Sequence, residues 1–296
     1  MLKLFKKIII KINSRIKVQI NKKKFHNDLV DLLSPKFHEA AKFSYYRKVS
    51  KEEKKIGNMV ENFRNNIVVD YEGQEIETFG SPHSNSELFD QEGRVKPGIY
   101  APKPVTGVAR TGTPIFGGLQ LRKIVEGVGG GRIIELGTNT GLSGCYFLSS
   151  NVPVELVTVE GSEKLCEIAK INLEKISNKF EVINKMFDQA LESLISKEEK
   201  FDIGFVDGQH EKKATLFYAQ KLKKLVRPGG IIIFDDIYWS EDMNDGWNEI
   251  MQDDDFSETV DLGNRGICTI QDKKIVKRHF GLGDYIGNPI IYRSGW

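Results

Sequence analysis

Five carboxylates stand directly at the end of apolar runs, and their positions suggest chemistry. Ile133-Ile leads to Glu135, Val157-Thr-Val to Glu160, Ile203-Gly-Phe-Val to Asp207, and Ile231-Ile-Ile-Phe to Asp235-Asp236. A carboxylate such as Glu160 presents two acceptors, which suits the vicinal hydroxyls of a ribose. Asp207 and Asp235 lie 28 residues apart at the ends of consecutive runs. If those runs are neighbouring strands, three acids meet at one sheet edge. They repel one another unless a cation binds or a proton is retained. A hard divalent ion such as Mg²⁺, held by oxygens, answers that repulsion. The plainer alternative leaves Asp207 as a helix cap and Asp236 in solvent. His210 lies three residues after Asp207, and an imidazole there suits a general base. An exposed histidine at a helix start is the equally simple reading.

The first acid opens a glycine loop, Glu135-Leu-Gly137-Thr-Asn139-Thr-Gly141-Leu-Ser143. Its glycines allow a tight turn and close backbone approach to a ligand. No Gly-Lys-Ser/Thr follows, so it is not a P-loop. Asn139 stands where the second glycine of G-x-G-x-x-G would be. The loop with Glu160, 25 residues beyond Glu135, forms a stronger signal than either part. It leaves NAD and S-adenosylmethionine both open.

These residues need elements to hold them. From residue 115 onward, strand-like runs (132–136, 155–160, 180–183, 201–207, 230–234) alternate with helical stretches (141–149, 163–176, 188–196, 214–225). That alternation predicts βαβ units in an α/β, doubly wound, mostly parallel sheet, with its sites at the carboxyl ends of the strands. Glu258–Asp261 and Gly266–Gln271 read as a closing antiparallel pair. Residues 36–66 read as helical, and Ile67–Asp70 with Ile76–Phe79 as a hairpin around Glu72-Gly73-Gln74. Residues 80–114 form a long Gly/Pro/Ser/Thr/Asn-rich loop, of the kind that is functional or disordered. The expected organisation is a basic arm (1–34), a helical and hairpin cap with a covering loop (35–114), and a catalytic domain (115–296).

The chain has 296 residues, with 43 Lys+Arg, 41 Asp+Glu and 40% hydrophobic residues. This composition excludes collagen-like, wholly disordered and polytopic membrane classes. Three scattered cysteines make neither a disulfide framework nor a Cys-based zinc site, so a reducing, cytoplasmic setting is expected. Residues 1–24 carry nine Lys/Arg and no acid, on a remainder that is net acidic. Phe5, Ile8, Ile9, Ile12, Ile16 and Ile20 fall at near-helical spacing among these lysines. The pattern fits an interfacial amphipathic helix or one docked on the body or on a second copy of the chain. Ile16-Lys-Val-Gln-Ile20 also alternates like a strand. The run Ile8–Ile10 is too short to span a bilayer, and no small-residue cleavage site follows it. His83 and His279 have no partner at metal-ligand spacing.

Taken in order, Glu135-Leu-Gly-Thr-Asn-Thr-Gly-Leu-Ser143, Glu160, Phe187-Asp-Gln-Ala190, Val206-Asp207 and Pro228-Gly-Gly-(apolar)-Asp-Asp236 resemble class I S-adenosylmethionine-dependent methyltransferases. The nearest branch is the metal-dependent O-methyltransferases of catechol and caffeoyl-CoA type. The resemblance covers about residues 110–280. It implies a Rossmann-like fold with S-adenosylmethionine as cofactor. It implies cofactor contacts from Glu135, Gly137, Thr138, Asn139, Gly141, Ser143, Glu160, Gly161, Asp188, Gln189 and Asp207. Of these, Gly137 and its neighbours would run along the methionine part, Glu160 would take the ribose hydroxyls, and Asp188 and Gln189 would lie beside the adenine. It further implies Asp207, Asp235 and Asp236 as ligands of Mg²⁺ or a similar ion. That branch usually has Asn at the third position; the Asp-Asp pair is more like the sugar O-methyltransferases. His210 occupies the position of the catechol-type lysine base, and Gln209 that of the sugar-type aspartate. Tyr238 and Trp239 could wall an acceptor pocket, and 110–116 could cover it. Gly287-Asn-Pro-Ile290 comes too late to match the motif of amino-methylating enzymes.

The expectation is therefore O-methylation of a small hydroxylated molecule or sugar, with metal assistance and with His210 and Asp207 catalytic. Alternatives are an N- or RNA-methyltransferase using the basic arm, and a methyltransferase-like binding protein without turnover. An NAD-dependent oxidoreductase ranks last. A homodimer and peripheral membrane contact through residues 1–24 remain open partners; nucleic acid is less favoured.

Overall fold

Strands buried on both faces must be apolar throughout, because each face of the sheet is covered. In the computed structural model, which describes residues 16–77, 102–273 and 276–287, the apolar runs make such strands. They are β1 (Gly131–Leu136), β2 (Val154–Glu160), β3 (Phe180–Asn184), β4 (Phe201–Val206) and β5 (Val226–Phe234). Then come β6 (Phe256–Asp261), β7 (Gly266–Ile270) and β8 (Arg278–Gly281). The sheet order is β8-β6-β7-β5-β4-β1-β2-β3. β1 to β5 are parallel, and β7 runs antiparallel to both β5 and β6.

Side-chain alternation divides the strands between two cores. Ile133, Leu156, Ile203, Phe205 and Ile231 face one core, with Leu121 and Phe147. These two come from α5 (Ile115–Gly127) and α6 (Leu142–Leu148). Ile134, Val157, Val159, Val206 and Ile232 face the other, with Leu191, Leu222 and Trp247. Those three come from α8 (Phe187–Ser196), α9 (Lys212–Leu225) and α10 (Glu241–Gln252). On the first side, α7 (Glu163–Glu174) adds Leu165, Ile168 and Leu173.

The N-terminal elements join the first core. They are α1 (Lys22–Leu32), α2 (His38–Tyr46), α3 (Lys51–Asp70) and, later, α4 (Val105–Thr111). Phe25 of α1 stacks on Tyr45 at 3.9 Å between ring centres, and meets Phe280 and Tyr285 edge-on. Ser50 and Glu53 form a reciprocal capping box that starts α3.

Three sequence expectations change. Ile67–Asp70 is the last turn of α3, not a strand. Its β-branched Ile-Val-Val reads as strand, but Val60, Arg64 and Ile67 continue one buried helical face, and packing overrides propensity. Ile76 pairs instead with Lys103, in a two-residue antiparallel bridge. β8 adds an edge strand parallel to β6 that the sequence did not suggest, since Arg-His-Phe-Gly has one buried apolar residue. Of the basic arm, 16–20 are helical, with Ile16 and Ile20 exposed. Residues 1–15, the loop over 80–101 with His83, and 288–290 lie outside the described residues. No helix among the described residues is long and apolar enough to cross a membrane.

Candidate active site

The order β3-β2-β1-β4-β5 puts a topological switch point between β1 and β4, where the chain leaves the sheet on opposite sides. Strand register aligns the carboxyl ends there: Leu136 sits opposite Val206, and Val206 opposite Phe234. The next residues hold the same edge. Asp207 N donates to Leu136 O at 2.9 Å, and Asp235 N to Val206 O at 2.9 Å.

Gly137 follows β1 with φ +108°, and a Cβ there would lie 2.1 Å from the Asp207 carbonyl. Only glycine lets the loop lie against the end of β4. Asn139 also has a left-handed backbone (φ 50°). Its N–H donates to Glu160 Oε2 at 2.9 Å, while Ser162 N–H donates to Glu160 Oε1 at 3.0 Å. Glu160 thus ties β2 to the glycine loop. Each of its oxygens can accept a second hydrogen bond. Burial raises its pKa, against the pull of these amides.

Glu135 lies beneath the loop, fully buried. It accepts from Ser143 Oγ and, at 2.6 Å, from Thr158 Oγ1. Thr158 also hydrogen-bonds Thr138 at 2.5 Å. Burial pushes the Glu135 pKa up to about 7. Glu135, Thr138, Gly141 and Ser143 are all buried and shape the loop from below; Gly137, Asn139 and Gly161 are half-buried. Asp188, half-buried, and Gln189, exposed, sit in the first turn of α8.

Beyond β4 and β5 lies a cavity of about 420 Å³. Asp207, Asp235, Asp236, Asn264 and Arg265 line it, with Phe116 and Trp239 as aromatic walls and Ser44, Thr111 and Thr113 as hydroxyls. His210 stands behind the acids, its Nε2 3.6 Å from Asp236 Oδ2 and 3.9 Å from Asp207 Oδ1. Its ring lies 5.7 Å from that of Trp239. Burial, then the charges of Asp235 and Asp236, raise the Asp207 pKa well above the carboxylate range. Gln209 is buried and accepts from Tyr218 Oη, so it does not enter the cavity. Tyr238 Oη is turned away toward Asp261. His279 Nδ1 bonds Thr259 Oγ1 at 2.9 Å, far along the sheet on β8.

The structure gives two of the three expected metal ligands partners within the chain. Asp235 Oδ2 accepts from Arg265 Nη2 at 2.6 Å, and its Oδ1 from Asp236 N at 2.8 Å. Asp236 Oδ1 accepts from Asn264 Nδ2 at 2.6 Å. Within the chain the Asp pair thus has a guanidinium and an amide as partners. Among the described residues no cluster of three or more His, Cys, Asp or Glu is arranged to hold a metal ion.

Sequence reasoning missed Asn264 and Arg265. They sit in the β6–β7 turn, Gly263-Asn-Arg-Gly266. The turn itself was legible between the two closing strands. Its place beside β5 follows only from the sheet order, which brings the end of β6 to the same edge.

Residues 134–237 match a family described as "Methyltransferase domain". That stretch, about a third of the chain, is similar to a methyltransferase domain. The chain's doubly wound sheet with an antiparallel β7 is a Rossmann-like α/β sheet. A curated relative, the tapetum-specific methyltransferase 1 of Arabidopsis thaliana, is 24% identical over 148 residues, 48% of this chain. The match spans 62% of that relative's length. Among solved structures, an O-methyltransferase of Bacillus cereus in complex with S-adenosylhomocysteine is 25% identical. That match covers 51% of this chain and 80% of the other, with a TM-score of 0.44. A methyltransferase of Podospora anserina, bound to S-adenosylhomocysteine, is 19% identical, covering 55% and 82% with a TM-score of 0.46.

Proposed function

We propose that this protein transfers a methyl group from S-adenosylmethionine to a hydroxyl oxygen of a small acceptor held in the cavity beside Asp207. The observation that carries this reading is the adjacency, across one switch point, of the Gly137–Glu160 loop and a cavity floored by carboxylates. The residues present fit the cofactor. Gly137 keeps the loop free of side chains at the end of β1, and Glu160, held there by backbone amides, is the acceptor for the ribose hydroxyls. When bound, S-adenosylmethionine supplies a methyl group on a sulfonium, which leaves as a neutral thioether when an oxygen lone pair displaces it.

The chain's own task is to place the acceptor and take its proton. Positioning supplies much of the rate in such in-line displacements. Phe116 and Trp239 bound the acceptor, and Asn264 holds Asp236 still. Asp207 reaches the cavity, and its raised pKa makes it a stronger base than an ordinary carboxylate. The acceptor's proton passes to Asp207 Oδ, and His210 Nε2 stands behind to receive it from Asp207 or to offset the remaining negative charge. A cavity of about 420 Å³ suits a small molecule rather than a polymer. A divalent ion does not fit the residues as they stand, because Asp235, the middle acid, is already paired with the buried Arg265 guanidinium, which an added cation would have to face. No step here uses one.

The test is calorimetric titration with S-adenosylhomocysteine, followed by methyl transfer from labelled cofactor to a panel of small alcohols, phenols and sugars. We expect binding at roughly micromolar Kd. We expect His210→Gln to keep that binding, and Asp207→Asn to lose about 10²–10⁴-fold in kcat on any acceptor found. An absence of cofactor binding overturns the reading; transfer to amines but to no hydroxyl removes its oxygen-specific part.

A further inference from the structure

We propose that Arg265 is the built-in cation of the acceptor site, standing where a carboxylate cluster of this kind would otherwise recruit a divalent ion. The inference rests on the methyltransferase reading for its context, but its observations are independent of cofactor binding. Three acids crowd one sheet edge, and the only guanidinium lining the cavity among the described residues is fixed to the middle one.

Arg265 is buried, as is Asp235. Its seat is built from several elements. Nη2 donates to Asp235 Oδ2 at 2.6 Å. Nη1 donates to Gly117 O at 2.7 Å and to Gln120 Oε1 at 3.0 Å, both on α5. Gln120 is itself fixed, its Nε2 donating to Ser44 Oγ of α2 at 2.7 Å and to Leu262 O at 3.2 Å. Gly117 leaves the space: a Cβ there would lie 3.1 Å from Nη2 and 3.2 Å from Nη1. A planar fork of donors fits this seat, and a lysine ammonium would not reproduce it.

The seat has a consequence at the reacting edge. With Oδ2 on Arg265, Asp235 turns Oδ1 to accept from Asp236 N at 2.8 Å. That hydrogen bond holds Asp236 in its left-handed backbone (φ 55°), which aims its side chain toward His210. Arg265 thus acts through Asp235 and is a positioning residue. A divalent ion on Asp235 would have to break a buried ion pair and leave the guanidinium unpaired beside it. That is unfavourable on both counts.

The deciding measurement is Mn²⁺ binding, read by electron paramagnetic resonance on the full chain with S-adenosylhomocysteine bound. The proposal expects no stoichiometric Mn²⁺ site tighter than about 0.1 mM in the wild type. It expects methyl transfer to be unchanged by EDTA. Arg265→Gln frees the carboxylates, and it should gain one Mn²⁺ per chain that Arg265→Gln/Asp236→Asn loses again. Cofactor titration on the same samples reports whether the variant is folded and whether the methyltransferase reading itself stands. One tight Mn²⁺ per wild-type chain, lost in Asp235→Asn, overturns the proposal. So does a folded Arg265→Gln that takes up no Mn²⁺. Should Arg265→Gln fail to fold, Arg265→Met keeps the bulk without the charge and should take up one Mn²⁺ per chain; a folded Arg265→Met that takes up none overturns the proposal as well.

Discussion

Glu135 shows how one residue's surroundings set its role. A carboxylic acid at the end of β1 is ordinarily ionised, with a pKa of 4.5, but here burial carries it to about 7. The Ser143 and Thr158 hydroxyls pull it down, and the charge of Glu160 adds to the rise. The folded state therefore prefers the protonated acid. That preference contributes fully below pH 4.5 and is lost as the pH rises through 7. A rise of this size corresponds to about 3 kcal/mol. Glu135→Gln keeps the shape and offers a neutral amide to hydroxyls that can either donate or accept. We expect the two proteins to be of similar stability at pH 4, and the variant to be more stable by up to about 3 kcal/mol above pH 7. Thermal unfolding followed from pH 4 to 8 checks this; parallel curves would show that folding leaves the Glu135 pKa at its ordinary value. The sequence pointed to this acid as a cofactor contact. Its burial came from the register that places it opposite Thr158, which one sequence does not display.

At the scale of elements, the carboxyl-end turns carry the proposed site, and they were the most legible part of the chain. Buried parallel strands need continuous apolar runs, so the first polar residue after each run marks its end. Asp207 and Asp235 were located that way. The turn after β1 depends on its backbone more than on its side chains. Gly137 sits at φ +108°, and an alanine Cβ would press on the Asp207 carbonyl. Gly137→Ala should cost about 1–3 kcal/mol in backbone strain and move the loop off β4. S-adenosylhomocysteine affinity should fall at least tenfold, measured by calorimetry beside a urea unfolding curve. Affinity equal to wild type would mean that the loop does not approach the cofactor. Less legible were elements whose identity depends on partners. The Ile-Val-Val of α3 looks like strand until its buried face is known, and β8 exists because β6 offers it an edge. The Arg265–Asp235 pair joins residues 30 apart in sequence, and no local pattern predicts it.

Across the whole molecule, α1 and α2 connect to the acceptor side of the site. Phe25 is fully buried among Tyr45, Phe280 and Tyr285, which pins α1 and α2 to the β6–β8 side of the sheet. From α2, Ser44 begins the chain through Gln120 to Arg265 and Asp235. Glu160 and the Gly137 loop lie on the β1–β2 side and share no hydrogen bond with that chain among the described residues. Loosening the helices should therefore injure acceptor handling before cofactor binding. Phe25→Ala removes a buried aromatic and should cost about 3–5 kcal/mol of stability. At a temperature where the variant is still folded, its S-adenosylhomocysteine affinity should stay close to wild type, while kcat/KM for the acceptor falls as the seat of Arg265 relaxes. Calorimetry and steady-state kinetics on one preparation separate the two effects. Equal losses in both would mean that the sheet responds as one body and that α1 and α2 only add stability. A loss confined to the acceptor would assign these helices to the acceptor half of the site.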